Sequence, residues 1–163
     1  MERKYVLTNE RIGINGRTLY RIQAVRSFGD VEKGEQGGWI EKESNLSHEG
    51  NCWVDDNAMV YNKASVNNNA RIKDNARISG HAKVMDNAII RGNVKIMENA
   101  IIKEHVEVMD DAVIGGHVEL QKHVIIGGHS LLIGNSIIDD DDDVRACEIE
   151  SVINVILGKH ITK

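Results

Sequence analysis

Five of the seven histidines in this 163-residue chain are His81, His105, His117, His123 and His129, all at one position of a repeating pattern. An imidazole can serve as a general base near neutral pH, so a histidine beside a cleft is the first candidate for chemistry. Gly115-Gly116 precedes His117 and Gly127-Gly128 precedes His129. Glycine lets another molecule approach the backbone closely. If the protein is an enzyme, His117 and His129 are therefore the candidate catalytic residues. Elsewhere in the pattern Asn fills the same position, and the reading adopted is that these histidines are corner residues of the fold. His105 and His123 are eighteen residues apart and can stack on adjacent layers. Two such ligands do not make a structural zinc site, so neither metal nor cofactor is expected. The sequence contains no phosphate-binding loop, no Gly-rich dinucleotide fingerprint and no evident Ser or Cys nucleophile with an ordered base.

Charge offers a second kind of chemistry. The net charge is −5, but residues 104–150 hold twelve acids against Lys122 and Arg145, a local −10. Asp139, Asp140, Asp141, Asp142 and Asp143 form an unbroken run, with Glu148 and Glu150 close behind. Five adjacent carboxylates repel one another, so the run is expected to be exposed and to suit a basic partner. Arg71, Arg77, Lys83, Arg91 and Lys95 make a basic stripe in the first half. No aromatic residues interleave with it, and it reads as a solvated face. Direct nucleic-acid binding is not expected.

The element that positions these residues is a six-residue repeat. Small residues recur from Cys52 through Ala58, Ala64 and Ala70 to Ser130 and Ser136, and a branched aliphatic follows two positions after each, from Val54 and Val60 to Leu132 and Ile138. Residues two apart in a strand face the same way, so each pair points inward and the residue between them points outward. The polar triplet that follows reads as a corner. A period of six does not match a helix. One strand and turn cannot bury its inward pair alone, so the units must stack. Asn, Asp and His directly before the small position suggest a left-handed backbone at that residue. The outward residues turn aliphatic towards the end: Ile101, Val113, Ile125, Leu131 and Ile137, spread over three faces. Such side chains need cover, from the C-terminal segment or from another copy of the chain, and a homo-oligomer, dimer or trimer, is expected.

Ile114-Gly115-Gly116-His117-Val118 and Ile126-Gly127-Gly128-His129-Ser130 resemble the motif of the hexapeptide-repeat proteins. The resemblance covers roughly residues 46–141. It implies an all-β, single-stranded left-handed parallel β-helix of about five coils, three hexads to a coil, with residues eighteen apart as neighbours at about 4.8 Å. It also implies acyl transfer with a His base as one possible activity. Gly16-Arg17-Thr18-Leu19-Tyr20-Arg21-Ile22, Gly37-Gly38-Trp39-Ile40-Glu41 and residues 46–53 are similar to the start of β-helical proteins of phages, prophages and gut bacteria, a group with no assigned activity.

Residues 1–45 leave the period. Asn15-Gly16 between two apolar runs predicts a β-hairpin with a type I′ turn, and the hairpin with Trp39 reads as a cap on the open end of the solenoid. After Ile138 the count breaks, and residues 142–163 read as an extra strand or coil, or a short helix. Cys52 and Cys147 form no disulfide framework, no apolar stretch reaches transmembrane length, and a cytoplasmic location is expected. The function expected from these residues is non-enzymatic protein binding of phage type: an inhibitor or decoy that offers its acidic end to a host nucleic-acid-binding defence protein. The alternatives are an acyltransferase and a self-assembling structural protein.

Overall fold

The computed structural model describes residues 2–139 and 143–146; Asp140, Asp141, Asp142, Glu148, Glu150 and the rest of 147–163 lie outside the described residues. Hexads and strands coincide. Two-residue strands recur at Met59–Val60, Ser65–Val66, Arg71–Ile72 and onward to Leu131–Leu132. They stack in parallel at a spacing of eighteen, with Met59 beside Arg77, Ser65 beside Lys83 and Trp53 beside Arg71. Three flat faces result, and each coil contributes one strand to each. Backbone bonds tie the coils together: Lys83 N–H donates to Ala100 at 2.9 Å and Lys95 N–H to Ala112 at 3.0 Å. The inward pairs fill the bore, and Ala58, Val60, Ala76, Ile78, Val94 and Ile96 are all fully buried. This is an all-β parallel β-helix, and among the described residues no helix is long and apolar enough to cross a membrane.

The backbone corrects the sequence reading at the corners. Positive φ falls one residue earlier than expected, at Asp56, Asn62, Asn68, Asp74, Gly80, Asp86, Gly92, Glu98, Glu104, Asp110, Gly116, Lys122, Gly128 and Gly134. The position shared by Asn and His comes next. Its N–H donates to the carbonyl of a positive-φ residue in the following coil, as His105 does to Lys122 at 2.9 Å. Gly therefore occupies five of these corners, and acids, Asn or Lys the others.

Parallel stacking begins before residue 46. Strand β1 (Tyr5–Ile14) and strand β2 (Arg17–Ala24) form the expected hairpin, with Asn15 at φ 48° and Gly16 at φ 74° in its turn. Strand β3 (Gln36–Ile40) pairs antiparallel with β2 on one side and parallel with Met59–Val60 on the other. The hairpin thus extends one face of the prism into an eight-stranded sheet. Ile40 pairs with Val60 and Leu46 with Val66, twenty residues apart, whereas Trp53 and Arg71 are eighteen apart. The first coil therefore carries two extra residues between Leu46 and Trp53.

The aromatic residues also exchange expected places. Trp39 lies in a satellite cluster with Leu19 and Tyr61, and Arg21 packs over its ring at 4.2 Å. Trp53, expected outward, is fully buried under Phe28, 5.4 Å away edge to face, and Tyr5. Tyr5 stacks on His48 and donates from its hydroxyl to the Leu46 carbonyl at 2.7 Å. At the other end the break in the small–aliphatic pattern is no break in pairing. Asp143–Ala146 form a strand in parallel register with Ile125–Gly128.

Candidate functional site

The corner columns decide what the histidines can do. One column runs Asn69, Asn87, His105, His123, and its members engage one another. Asn69 Nδ2 donates to Asn87 Oδ1 at 3.2 Å, Asn87 Nδ2 meets His105 Nε2 at 3.3 Å, and His105 stacks on His123 with centroids 5.0 Å apart. A second column runs Asn75, Asn93, Asp111, His129. Asn75 donates to Asn93 at 3.3 Å, Asn93 to Asp111 at 2.9 Å, and His129 Nδ1 lies 3.5 Å from Asp111 Oδ2. In the third column, Lys63, His81, Asn99, His117 and Asn135 follow one another at eighteen-residue spacing. His117 thus sits on a different column from His129, and the two candidate bases do not converge. The expected stacking of His105 and His123 is present. Among the described residues no group of three or more His, Cys, Asp or Glu gathers as a metal site.

The acids of residues 104–139 are employed within the coils. Asp110 Oδ2 accepts from Gly128 N–H at 2.8 Å, Glu104 Oε2 from Lys122 N–H at 2.6 Å, and Glu98 accepts from Gly116 N–H. Asp86 Oδ2 accepts from Glu104 N–H at 3.1 Å while Asp86 Oδ1 accepts from Asn68 at 2.6 Å. Corner carboxylates therefore cap the N–H of the same corner one coil further on. Glu107 pairs with Arg91 at 2.7 Å, Glu119 with Lys103 at 2.6 Å and Asp139 with Lys122 at 3.8 Å. The hydrogen bond to Glu107 holds Arg91 above its ordinary pKa, and the bond to Glu119 does the same for Lys103. Glu107, Glu119 and Asp139 are thus paired with cations, whereas Glu104 and Asp110 accept from backbone N–H groups and keep their charge. The side chains of Asp140 to Asp143, Glu148 and Glu150 are outside the described residues.

The basic stripe is partly spent too. Arg71 is largely buried and grips Asp55 through Nη2 at 2.9 Å, and it also bonds Asp30. Burial would raise the Asp30 carboxyl, but Arg71 outweighs it and holds Asp30 below its ordinary pKa. Arg91 is taken by Glu107. Arg77 and Lys95 remain as exposed neighbours on one face.

The outward aliphatics divide among the faces. Val113 and Leu131 are direct neighbours on the first face. Ile101 and Ile137 are separated by Glu119 on the second, and Ile125 is separated from Ile89 by Glu107 on the third. Ile137 is 41% exposed and Ile133, beside Leu131, 51%.

Sequence reasoning missed Lys4, which is fully buried. Its Nζ donates to the Cys52 carbonyl at 2.8 Å, to Cys52 Sγ at 3.2 Å and to the Gly50 carbonyl at 3.3 Å. These carbonyls belong to the enlarged first coil. Burial pulls the Lys4 pKa down and pushes the Cys52 thiol up. Nothing in a charged N-terminal run signals this role.

Two shallow grooves line the corners. One of about 490 Å³ follows Asn68, Asn69, Asp86, Asn87, Glu104 and His105. The other, of about 310 Å³, lies between the hairpin and the third column, lined by Arg17, Lys42, Asn62, Lys63, Gly80 and His81. No protein-family model matches the chain. A stretch of 49 residues, 29% of the chain, is 45% identical to an Escherichia coli (strain K12) protein named uncharacterized acetyltransferase YdcK, and it spans 15% of that protein. This partial likeness, with the stacked parallel coils, fits a hexapeptide-repeat β-helix.

Proposed function

We propose that the protein is a binding protein whose partner is another protein, reached through the acidic C-terminal end. The observation that carries this reading is the placement of charge: Glu107, Glu119 and Asp139 form ion pairs within the coils, whereas residues 140–150 add six acids against Arg145 alone. Surplus carboxylates that follow the outward aliphatics in the sequence suit a basic, nucleic-acid-binding protein surface, which they would engage as a decoy. In this reading the protein is of the phage or gut-bacterial type, acts in the cytoplasm against a host defence protein, and is a homo-oligomer. The test is capture from a bacterial host lysate with the wild type and with a variant in which Asp139 to Asp143 are all Asn. A basic nucleic-acid-binding protein, displaced by duplex DNA and lost with the variant, supports the reading. Capture unaffected by the variant overturns it.

A second reading, acyl transfer, rests on the partial likeness to the E. coli protein named an acetyltransferase. His117 is its base. The regular coils offer no long loop to cover a cofactor between Trp53 and Ile138. Acetyl-coenzyme A turnover abolished by His117→Asn would establish it.

A further inference from the structure

The third corner column differs from the other two. Where Asn, Asp and His side chains of the first two bond or stack from coil to coil, Lys63, His81, Asn99, His117 and Asn135 have no side-chain hydrogen bond or ion pair among the described residues. Its first two members are a lysine and a histidine on adjacent coils, about 4.8 Å apart in rise. Both line the 310 Å³ groove, and Arg17 from the end of the hairpin turn and Lys42 from the first coil complete its wall. Glu41 is the acid nearest this cluster. It is already engaged, accepting from Arg17 Nη1 at 2.7 Å and from Asn62 N–H at 2.6 Å. Burial would raise the Glu41 carboxyl, yet these two bonds hold it below its ordinary pKa. Glu41 is thus the partner of Arg17 and also feels the charge of Lys42, while Lys63 and His81 have no ion pair among the described residues. Asn62, also in its wall, has a buried Oδ1 with no hydrogen-bond partner.

We infer that the groove formed by Arg17, Lys42, Asn62, Lys63 and His81 is a binding site for a small phosphate-bearing ligand. Lys42, Lys63 and His81 line one groove, and donors of this kind suit the several acceptor oxygens of a phosphate monoester, to which charge-assisted bonds are the strong ones. A groove of this volume holds a compact molecule. The site stands at the N-terminal end and is independent of the acidic surface proposed above.

The test is amide-resolved NMR of the full chain titrated with inorganic phosphate at constant ionic strength, with chloride as the control anion and glycerol phosphate as a hydroxyl-bearing probe. Saturable shifts confined to the backbone around Lys42, Asn62, Lys63 and His81, absent with chloride, are the expected result. Lys42→Gln and Lys63→Gln should each weaken binding about tenfold, the loss of one charge-assisted contact. His81→Asn, which restores the residue type common in the other columns, checks that the loss is not one of folding and should also weaken binding. Glycerol phosphate should shift the same residues as inorganic phosphate, since both present phosphate oxygens to the lysines. Shifts that do not saturate, or that survive both lysine changes, overturn the site. Binding of single-stranded DNA at these residues without binding of either phosphate probe overturns it as well, in favour of a polyanion surface.

Discussion

A carboxylate at the positive-φ corner has two duties: it must accept positive φ, and its side chain satisfies an N–H one coil away. Asp110 does both, at φ 62° and with its carboxylate 2.8 Å from Gly128 N–H. Asp110→Gly keeps the backbone easy and loses the cap, so it should cost about 1 kcal/mol. Asp110→Val loses the cap and places a β-branched residue at positive φ, and should cost about 2–3 kcal/mol. Denaturant unfolding of the two variants separates the duties, and equal costs would contradict the assignment. The neighbouring His slot is less demanding. His117→Asn with His129→Asn should leave unfolding within about 0.5 kcal/mol of wild type, because Asn fills that slot in other coils and His129 is half exposed. The sequence made this slot legible as a corner because its residue types repeat. It misplaced the positive φ by one residue, since Asn and Asp populate both adjacent positions and composition cannot separate them. Gly80, Gly92, Gly116, Gly128 and Gly134, all in the earlier position, carried the information.

At the scale of elements, the solenoid was legible and its first coil was not. A repeat announces itself by recurrence, whereas the closure over residues 46–53 is assembled from single residues far apart in the chain: Lys4, Tyr5, Phe28 and Trp53. Their signal is a set of contacts with no local pattern. Gly38 marks how tightly this end fits, because an added Cβ would lie 2.5 Å from the Ala58 carbonyl oxygen and 2.7 Å from Val54 Cγ1. Gly38→Ala must shift β3 away from the second coil and should cost more than about 2 kcal/mol in thermal or denaturant unfolding. His48 gives the same end a pH dependence. Burial lowers its pKa, and its Nδ1 accepts the Lys4 N–H at 3.3 Å. The unfolded chain therefore binds the proton first. Stability from this group is complete above about pH 6.5, the unfolded value, and is lost as pH falls through the lower folded value. The melting temperature of wild type minus that of His48→Phe should decline between pH 7.5 and 5. A flat difference would show that His48 does not titrate with folding.

Sequence counting gives −10 for residues 104–150, but it does not show which charges are paired. Glu107, Glu119 and Asp139 meet cations sixteen or seventeen residues away, and such pairs form only once the coils stack. Glu104 and Asp110 accept from backbone N–H groups one coil on and keep their charge. In the proposed homo-oligomer the contact is the aliphatic surface of the last coils. Val113 and Leu131 form the contiguous apolar pair, with Ile133 beside them, and each aliphatic contributes roughly 1.5–3 kcal/mol if fully covered. Light scattering should report a multiple of 18.1 kDa, and Leu131→Glu should return the monomer. A wild-type monomer at tens of micromolar would assign the cover to residues 144–163. The acidic run then separates two electrostatic outcomes for the partner. Contact through surplus carboxylates is steered by long-range charge, which salt screens over about 8–10 Å. Association should therefore slow steeply between 50 and 300 mM salt in surface plasmon resonance with the captured partner immobilised. Changing Asp139 to Asp143 together to Asn should remove most of that slope and weaken binding, while the dissociation rate set by the aliphatics should change less. Should the quintuple variant bind as tightly as wild type at both salt concentrations, the contact surface would have to be sought on Arg77 and Lys95 or on the N-terminal hairpin, where uncompensated charge of the opposite sign remains.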